Sequence, residues 1–246
     1  VGSMWLPEYD YLITDKHQTP PNLEKDFSEE LILMDNSYVT YTPPPYDIDL
    51  LEPAQIHNQY VTFGCFNNAS KFTLTCCEIW SQILKQVENS KLILKDRAFG
   101  DNGTRNVIRN TFKTFGIATN RITFRGGSPH ETHLKYLSAV DICLDPIPYS
   151  GGLSTLEAIY MGIPVISLEG RLLCHRHSTS HLSVIGRSEF IAKTAAEYVD
   201  KATNLASAPE RILQYRRTLR NDLLESPLLN HKSFAKDLIK KMAALV

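Results

Sequence analysis

The feature of the sequence that most constrains the fold is the stretch from Asp141 to Gly170, which reads DICLDPIPYSGGLSTLEAIYMGIPVISLEG. A short apolar strand over Asp141–Asp145 leads into a loop with a Gly-Gly pair, and a helix that starts near Ser154 follows. A second apolar strand over Pro164–Leu168 completes the unit. The first N–H groups of a helix lack intrahelical acceptors and the helix dipole is positive there, so this loop is expected to bind an anion such as a diphosphate.

Glu157 lies about one turn into the same helix. At that distance its carboxylate can reach past bound phosphates to a sugar hydroxyl. The loop lacks the G-x-x-x-x-G-K-[ST] and G-x-G-x-x-G patterns, so it is neither an ATPase loop nor a nicotinamide loop. A hydrolase is also disfavoured, because the chain has no G-x-S-x-G motif.

Composition excludes several classes of protein. The 246 residues are 43% hydrophobic and 22% charged with a net charge of −1, which indicates a globular protein and does not suggest a nucleic-acid partner. No apolar run approaches the ~20 residues of a membrane span, and no secretory signal pattern is recognisable. The five cysteines are odd in number and have no CxxC spacing. We therefore expect reduced thiols in a cytoplasmic protein.

From Tyr60 onward, strand and helix patterns alternate along the chain. This alternation predicts an α/β fold, a Rossmann-like doubly wound parallel sheet that binds ligands outside the carboxyl ends of its strands. Ser128-Pro129-His130-Glu131 has the form of a helix capping box. Predicted strands cover 60–65, 91–95, 121–124, 141–145, 164–168 and 190–192, and predicted helices cover 74–88, 102–115, 128–138, a segment from 154, 178–185, 195–206, 209–225 and 232–244.

The first part of the chain differs from the rest. Residues 1–4 are interpreted as a cloning remnant. Residues 5–58 hold seven of the thirteen prolines and are expected to be mostly extended and irregular, lying along the outside of one domain formed by residues 59–246. Tyr11–Thr14 is predicted as a short strand and Phe27–Leu31 as one or two helical turns.

Three further groups of residues each allow two interpretations. The amides and Lys71 that follow the strand at Cys65 suit a phosphate oxygen, although a lone loop lysine is more often simply solvated. His130 and His133 could contact a base or ribose or be exposed helical histidines, and no third ligand is spaced to complete a metal site. The run Cys174–His177 with His181 also suggests a metal, or an anion at Arg176, but weakly.

The basic residues near the C terminus are interpreted as a solvated face: Arg216, Arg217, Arg220, Lys240 and Lys241.

Several separated strings together resemble the C-terminal catalytic half of O-linked N-acetylglucosamine transferases and the related SPINDLY-type O-fucosyltransferases. They are VTFGCFNNASK, LILK, the segment Pro129–His133, VDICLDPIPYSGG, EAIYMGIPVISLEG, Arg176 with Ser180, SPLLN and FAKDL. The likeness extends from about Tyr11 to the end of the chain, and residues 5–58 resemble the tail of the family's N-terminal catalytic lobe.

The resemblance implies a two-lobed GT-B glycosyltransferase in which this chain forms the nucleotide-sugar-binding lobe. It implies UDP or a UDP-sugar as substrate rather than cofactor, an acceptor protein, a first lobe with tetratricopeptide repeats upstream, and inverting transfer to Ser or Thr hydroxyls without a metal. Lys71 matches the catalytic lysine at the diphosphate. The other implied nucleotide-sugar-binding residues are Asn68, Pro129, His130, His133, Gly151, Gly152, Leu153, Ser154, Thr155 and Glu157.

The sequence departs from the family pattern at a few positions. Leu153 replaces a loop threonine, Ser150 replaces an asparagine and His130 replaces a common lysine. The alternatives that remain are a fucosyltransferase that uses GDP-fucose, another enzyme of the same two-lobed architecture, and a nucleotide-binding or interaction module without catalysis. Because the acceptor side of the family's site belongs to the first lobe, we expect this chain to bind nucleotide without transferring sugar.

Overall fold

The computed structural model describes residues 2–245 of the chain. The strands are β1 (Tyr11–Asp15), β2 (Glu30–Met34), β3 (Thr62–Cys65), β4 (Lys91–Lys95), β5 (Ile122–Arg125), β6 (Ile142–Leu144), β7 (Val165–Leu168) and β8 (Ile191–Ala192). The helices are α1 (Ala54–Asn58), α2 (Leu74–Gln86), α3 (Asn102–Thr114), α4 (His130–Leu137), α5 (Leu153–Tyr160), α6 (His177–Val184), α7 (Ala195–Ala206), α8 (Pro209–Leu224) and α9 (His231–Ala243).

The main sheet has the strand order β5-β4-β3-β6-β7-β8, and every neighbouring pair is parallel. The predicted doubly wound parallel sheet is therefore confirmed. The chain first moves outward from β3 to β5, then returns to place β6 beside β3 and moves outward on the other side. The loops that follow β3 and β6 consequently diverge, and the crevice between them is where sheets of this kind bind ligands.

The centre of the sheet is tightly packed, which holds the crevice in place. All four residues of β3 are buried, and a Cβ added to Gly64 would lie 2.6 Å from the Cγ2 atom of Val140. Trp80 of α2 is fully buried and donates to the hydroxyl of Tyr198 at 3.1 Å. That hydroxyl in turn donates to the backbone oxygen of Asp145 at 2.9 Å. The end of β6 is thus anchored to helices packed behind it.

The N-terminal segment forms a second, two-stranded parallel sheet, in which Tyr11 pairs with Glu30 and Asp15 with Met34. The strand predicted at Tyr11–Thr14 is confirmed. The helical turns predicted for Phe27–Leu31 are wrong: a 3₁₀ turn lies earlier, over Pro21–Asp26, and a strand begins at Glu30. Pairing with β1 satisfies the backbone of this segment while Ile32 and Met34 become buried, so tertiary packing overrides the local pattern.

The capping box predicted at Ser128–Glu131 does not form. Helix α4 begins at His130, after Pro129, whose ψ of 152° is extended rather than helical. The Ser128 hydroxyl has no hydrogen-bond partner among the described residues, and Glu131 pairs with Lys135 along the helix surface instead. Proline at this position therefore ends the preceding loop rather than starting the helix.

The interpretation of the C-terminal basic residues as one solvated face is wrong for two of them. Arg216 is 3% exposed and donates to the backbone oxygens of Val140 and Met161. Arg220 donates to the backbone oxygens of Tyr160 and Ile48. Carbonyls at the end of a helix lack intrahelical donors, and these guanidinium groups satisfy those that follow α5.

All five cysteines are free and buried, as the prediction of reduced thiols requires. A helix of sufficient length and apolar character to cross a bilayer does not occur among residues 2–245.

Candidate functional site

Lys71 bridges the two loops that border the crevice. It ends a 3₁₀ turn, Ala69–Lys71, that follows β3, and its ammonium donates to the backbone oxygen of Ser150 at 2.9 Å. The same nitrogen lies 3.3 Å from the Asn67 Oδ1 atom and 4.2 Å from the centre of the Tyr149 ring. These contacts hold the Lys71 ammonium against the glycine loop.

The neighbouring asparagines have different positions. Asn67 Oδ1 also accepts a hydrogen bond from the Ser154 hydroxyl at 2.9 Å, so this amide joins Lys71 to the first turn of α5. The side chain of Asn68, which the family resemblance implies is part of the site, is exposed and caps the 3₁₀ turn by accepting from the Ser70 N–H at 2.9 Å. The amide that contacts the loop is that of Asn67.

Asp145, at the end of β6, holds the glycine loop from beneath. Its Oδ1 accepts the Gly151 N–H at 2.7 Å and its Oδ2 accepts the Ser167 hydroxyl at 2.6 Å. Gly151 is required here, since an added Cβ would lie 2.5 Å from the Thr155 hydroxyl and 2.9 Å from Asp145, whereas the space around Gly152 is open. Burial raises the pKa of the Asp145 carboxyl, although the hydrogen bonds that it accepts oppose this.

The start of α6 holds the loop from the other side. The Ser150 hydroxyl accepts the His177 N–H at 3.0 Å, and the Ser178 hydroxyl donates to the backbone oxygen of Gly151 at 3.0 Å. The hydroxyl of Thr155 lies 2.7 Å from that of Ser178, so it is engaged within the protein. Leu153, by contrast, exposes 61% of its surface and contributes its backbone N–H. The loop thus offers backbone donors at the start of α5, while the Ser154 hydroxyl donates to Asn67.

A second cluster surrounds Glu157, whose side chain is 8% exposed. One carboxylate oxygen lies 2.6 Å from His130 Nε2 and the other 3.4 Å from His133 Nε2. Behind them, Lys95 Nζ lies 2.9 Å from His133 Nδ1 and the Tyr46 hydroxyl contacts His130 Nδ1. Pro129, just before this helix, is exposed at the edge of the cluster.

Burial and neighbouring charges set the ionisation of these groups. Partial burial lowers the pKa of the Lys71 ammonium, and the Asp145 carboxylate raises it part of the way back. Burial alone would raise the pKa of the Glu157 carboxyl, but His133 and His130 lower it by more, so the pKa lies below its usual range. The crevice therefore has a desolvated cation on one side and a carboxylate held ionised on the other.

The histidine run after β7 packs against the N-terminal segment. His177 Nδ1 lies 2.7 Å from Gln18 Nε2 and 2.8 Å from the Tyr38 hydroxyl. Arg176 is buried and donates to the backbone oxygens of His17 and Gly170, so its guanidinium is engaged within the protein. Among residues 2–245, no group of three or more His, Cys, Asp or Glu side chains is arranged to hold a metal ion.

Sequence reasoning missed several residues that the structure brings to these clusters. Asp145 had a signal, because it ends a predicted strand, and Asn67 is one of the two amides that follow the strand at Cys65. Lys95 ends the predicted strand LILK and was also detectable in principle. Tyr46 and Tyr149 had no local signal, since their contacts depend on how distant segments meet.

Comparison with known proteins places the chain among glycosyltransferases. The sequence profile of glycosyl transferase family 41 matches residues 52–238. The chain is 33% identical over 234 residues to a barley (Hordeum vulgare) protein named as a probable UDP-N-acetylglucosamine–peptide N-acetylglucosaminyltransferase, SPINDLY, with 95% of this chain and 25% of that protein covered. Identity to the Arabidopsis thaliana protein of the same name is also 33%, with 94% and 25% covered.

A solved structure supports the same relationship. A mutant of the O-GlcNAc transferase of Thermobaculum terrenum is 27% identical and superposes with a TM-score of 0.86, covering 95% of this chain and 45% of that chain. The chain spans about a quarter of the length of the curated relatives that it matches.

Proposed function

Since this chain belongs to glycosyl transferase family 41, we propose that it forms the nucleotide-sugar-binding half of a protein O-glycosyltransferase. In this proposal residues 59–246 are the C-terminal catalytic lobe, and residues 5–58 are the tail of the first lobe. The donor is UDP-N-acetylglucosamine, which accords with the names of the plant relatives. The acceptors are Ser or Thr hydroxyls of cytoplasmic proteins, recruited by tetratricopeptide repeats.

The observation that carries the proposal is the meeting of Lys71 with the glycine loop. A cation, an amide and the first turn of α5 converge at the crevice between β3 and β6. Such a combination suits a diphosphate, since the ammonium supplies charge and the helix N terminus supplies directed N–H donors. The proposed diphosphate site comprises Lys71, Asn67, Gly151, Gly152, Leu153, Ser154 and Thr155.

The nucleoside is proposed to lie on the Glu157 side of the crevice. Its ribose hydroxyls donate to the Glu157 carboxylate, whose acceptor capacity exceeds the two histidine contacts that it makes. His133 and Pro129 then border the base, and His130 the ribose. Glu157 lies about one turn into α5, on the far side of that turn from the glycine loop's end of the helix.

The reaction is an inverting transfer. An acceptor hydroxyl attacks the anomeric carbon and passes its proton to a base on the acceptor side of the site, while the bond from that carbon to the diphosphate oxygen breaks. Negative charge builds on the departing diphosphate, and Lys71 with the N–H groups of α5 stabilises it. Removal of one preorganised donor of this kind raises the activation barrier by roughly 3–4 kcal/mol. In this scheme the lysine and the helix dipole take the role that a metal fills elsewhere.

The donor half can be tested by calorimetric titration of the chain with UDP and with GDP. Tighter binding of UDP is the expected result. Tighter binding of GDP would instead support the alternative, a fucosyltransferase that uses GDP-fucose. Absence of binding by either nucleotide would contradict the proposed function.

Catalysis is tested separately, by incubating the chain and a longer form that carries both lobes with radiolabelled UDP-N-acetylglucosamine and peptide mixtures. A glycosyl acceptor must sit within ~3–3.5 Å of the anomeric carbon, on the face that the first lobe is proposed to build. Transfer by the longer form alone is expected. Binding without transfer by both forms would favour a non-catalytic module, for which the exposed Leu153 in the loop is the motivating feature.

A further inference from the structure

A continuous row of side chains runs through the Glu157 cluster, with Lys95 at one end and Tyr46 at the other. Lys95 is the last residue of β4 and is 5% exposed. Its ammonium lies 2.9 Å from His133 Nδ1. An ammonium has donors but no acceptor, so Nδ1 must be the unprotonated, accepting nitrogen of that ring.

This contact determines where the His133 hydrogen lies. A neutral imidazole with an accepting Nδ1 carries its hydrogen on Nε2, which is 3.4 Å from a Glu157 oxygen. That nitrogen is buried and makes no hydrogen bond to any residue within 2–245. Buried donors are almost always paired, and the Glu157 carboxylate oxygen 3.4 Å away is the acceptor that this N–H faces.

The other end of the row repeats the arrangement. His130 Nε2 lies 2.6 Å from the second Glu157 oxygen, and an ionised carboxylate can only accept, so this nitrogen carries a hydrogen. The Tyr46 hydroxyl contacts His130 Nδ1 and can donate to it. Tyr46 follows Pro43-Pro44-Pro45, whose fixed φ angles limit the conformations of the segment that presents it.

We propose that Lys95 and Tyr46 are positioning residues that hold His133 and His130 in their Nε2–H forms. The His130 N–H then donates to Glu157, the His133 N–H faces the other oxygen of the same carboxylate, and together they orient it toward ribose hydroxyls. The role of the ribose rests on the proposed function, whereas the proton positions do not. Second partners that fix the tautomer of a functional histidine act in this way at metal and catalytic sites. Here the two histidines whose tautomers are fixed orient the Glu157 carboxylate.

The proton positions are tested in the protein without nucleotide, by ¹⁵N NMR of histidine-labelled chain. Ring ¹⁵N shifts separate protonated from unprotonated nitrogens, and His133→Asn and His130→Asn assign the signals. We expect unprotonated Nδ1 on both rings. Lys95→Met should protonate His133 Nδ1 and Lys95→Arg should restore the original form, while Tyr46→Phe should affect His130 alone. Lys91→Met, at the other end of β4 over the Tyr60 ring, is the matched control.

The link to ribose is tested by titration with UDP and with 2′,3′-dideoxy-UDP, which lacks both hydroxyls. Lys95→Met should weaken UDP binding about tenfold, the effect of one poorly placed charged hydrogen bond, and leave dideoxy-UDP binding unchanged. Lys95→Arg should recover UDP binding, and circular dichroism of each variant checks that it is folded.

Two results would overturn the proposal: unaltered His133 shifts in Lys95→Met, or an equal loss of affinity for both nucleotides, which indicates general damage. If the unsubstituted chain binds neither nucleotide, the proposed function fails, but the NMR result still decides the proton positions.

Discussion

The Lys71 ammonium donates to the backbone oxygen of Ser150 at 2.9 Å, joining two loops that are 79 residues apart in sequence. This contact spans the crevice between β3 and β6. It also directs a partly desolvated cation at the glycine loop.

Lys71→Ala should weaken UDP binding by about 1–3 kcal/mol, because a charge-assisted hydrogen bond to the diphosphate is lost. Lys85→Ala removes an exposed lysine on α2 and is the matched control, with affinity expected to stay at the level of the unsubstituted chain. Isothermal titration calorimetry measures both. Equal affinities of the two variants would remove Lys71 from the proposed site.

Asn67→Ala should weaken UDP binding more than Asn68→Ala. The Asn67 amide oxygen accepts from both Lys71 and Ser154, so its loss frees the groups that are proposed to hold the diphosphate. Asn68→Ala removes only a turn cap, and should lower the free energy of unfolding by about 0.5–2 kcal/mol while leaving affinity unchanged. Titration and urea unfolding of both variants compare the two effects. A larger loss of affinity in Asn68→Ala would instead place Asn68, as implied by the family resemblance, in the diphosphate site.

The free energy of unfolding should fall as the pH is lowered from about 6.5 to about 4. Burial lowers the pKa of both His177 and His181 from 6.5 to about 4, and the Lys71 charge adds to the effect on His177. In this window the unfolded chain binds more protons than the native one. The two histidines therefore contribute their full share of the free energy of unfolding above pH 6.5. That share is lost as the pH falls toward 4, by up to ~1.4 kcal/mol per pH unit for each histidine.

Urea unfolding across this pH range measures the slope. His177→Asn keeps an acceptor for Tyr38 and Gln18 but cannot titrate, so its slope should be shallower. His57→Asn, at an exposed position, should match the unsubstituted chain. An unchanged slope in His177→Asn would show that His177 does not contribute.

Gly162→Ala should lower the free energy of unfolding more than Gly186→Ala does. Both glycines have positive φ, 70° and 74°, which costs other residues roughly 1–2 kcal/mol. At Gly162 an added Cβ would also lie 2.5 Å from the backbone oxygen of Arg216, whereas at Gly186 nothing lies within 4 Å. Urea denaturation of the two variants measures both effects: Gly186→Ala reports the cost of positive φ alone, and the extra loss in Gly162→Ala reports the contact with Arg216. Equal losses of free energy of unfolding would mean that α8 moves aside to accept the added Cβ.

After Tyr60, the alternation of strands and helices could be predicted from the sequence, because apolar residues recur with the period of each secondary structure. The sequence also determined that the loop between β6 and α5 would present helix N–H groups. The features that it misjudged depended on distant partners: the strand at Glu30–Met34 forms because β1 lies beside it, and Arg216 is buried because free carbonyls after α5 lie within reach.

The candidate site shows the same division. The sequence placed Lys71, Glu157 and the glycine loop at the carboxyl edge of the sheet, since Lys71 and the loop follow predicted strands and parallel strands end at the same edge. Only the tertiary structure decided that Asn67 rather than Asn68 faces the loop, and that Lys95 and Tyr46 meet the two histidines. Those contacts join residues 38 to 87 positions apart, and their geometry is set by how buried side chains pack rather than by any local preference.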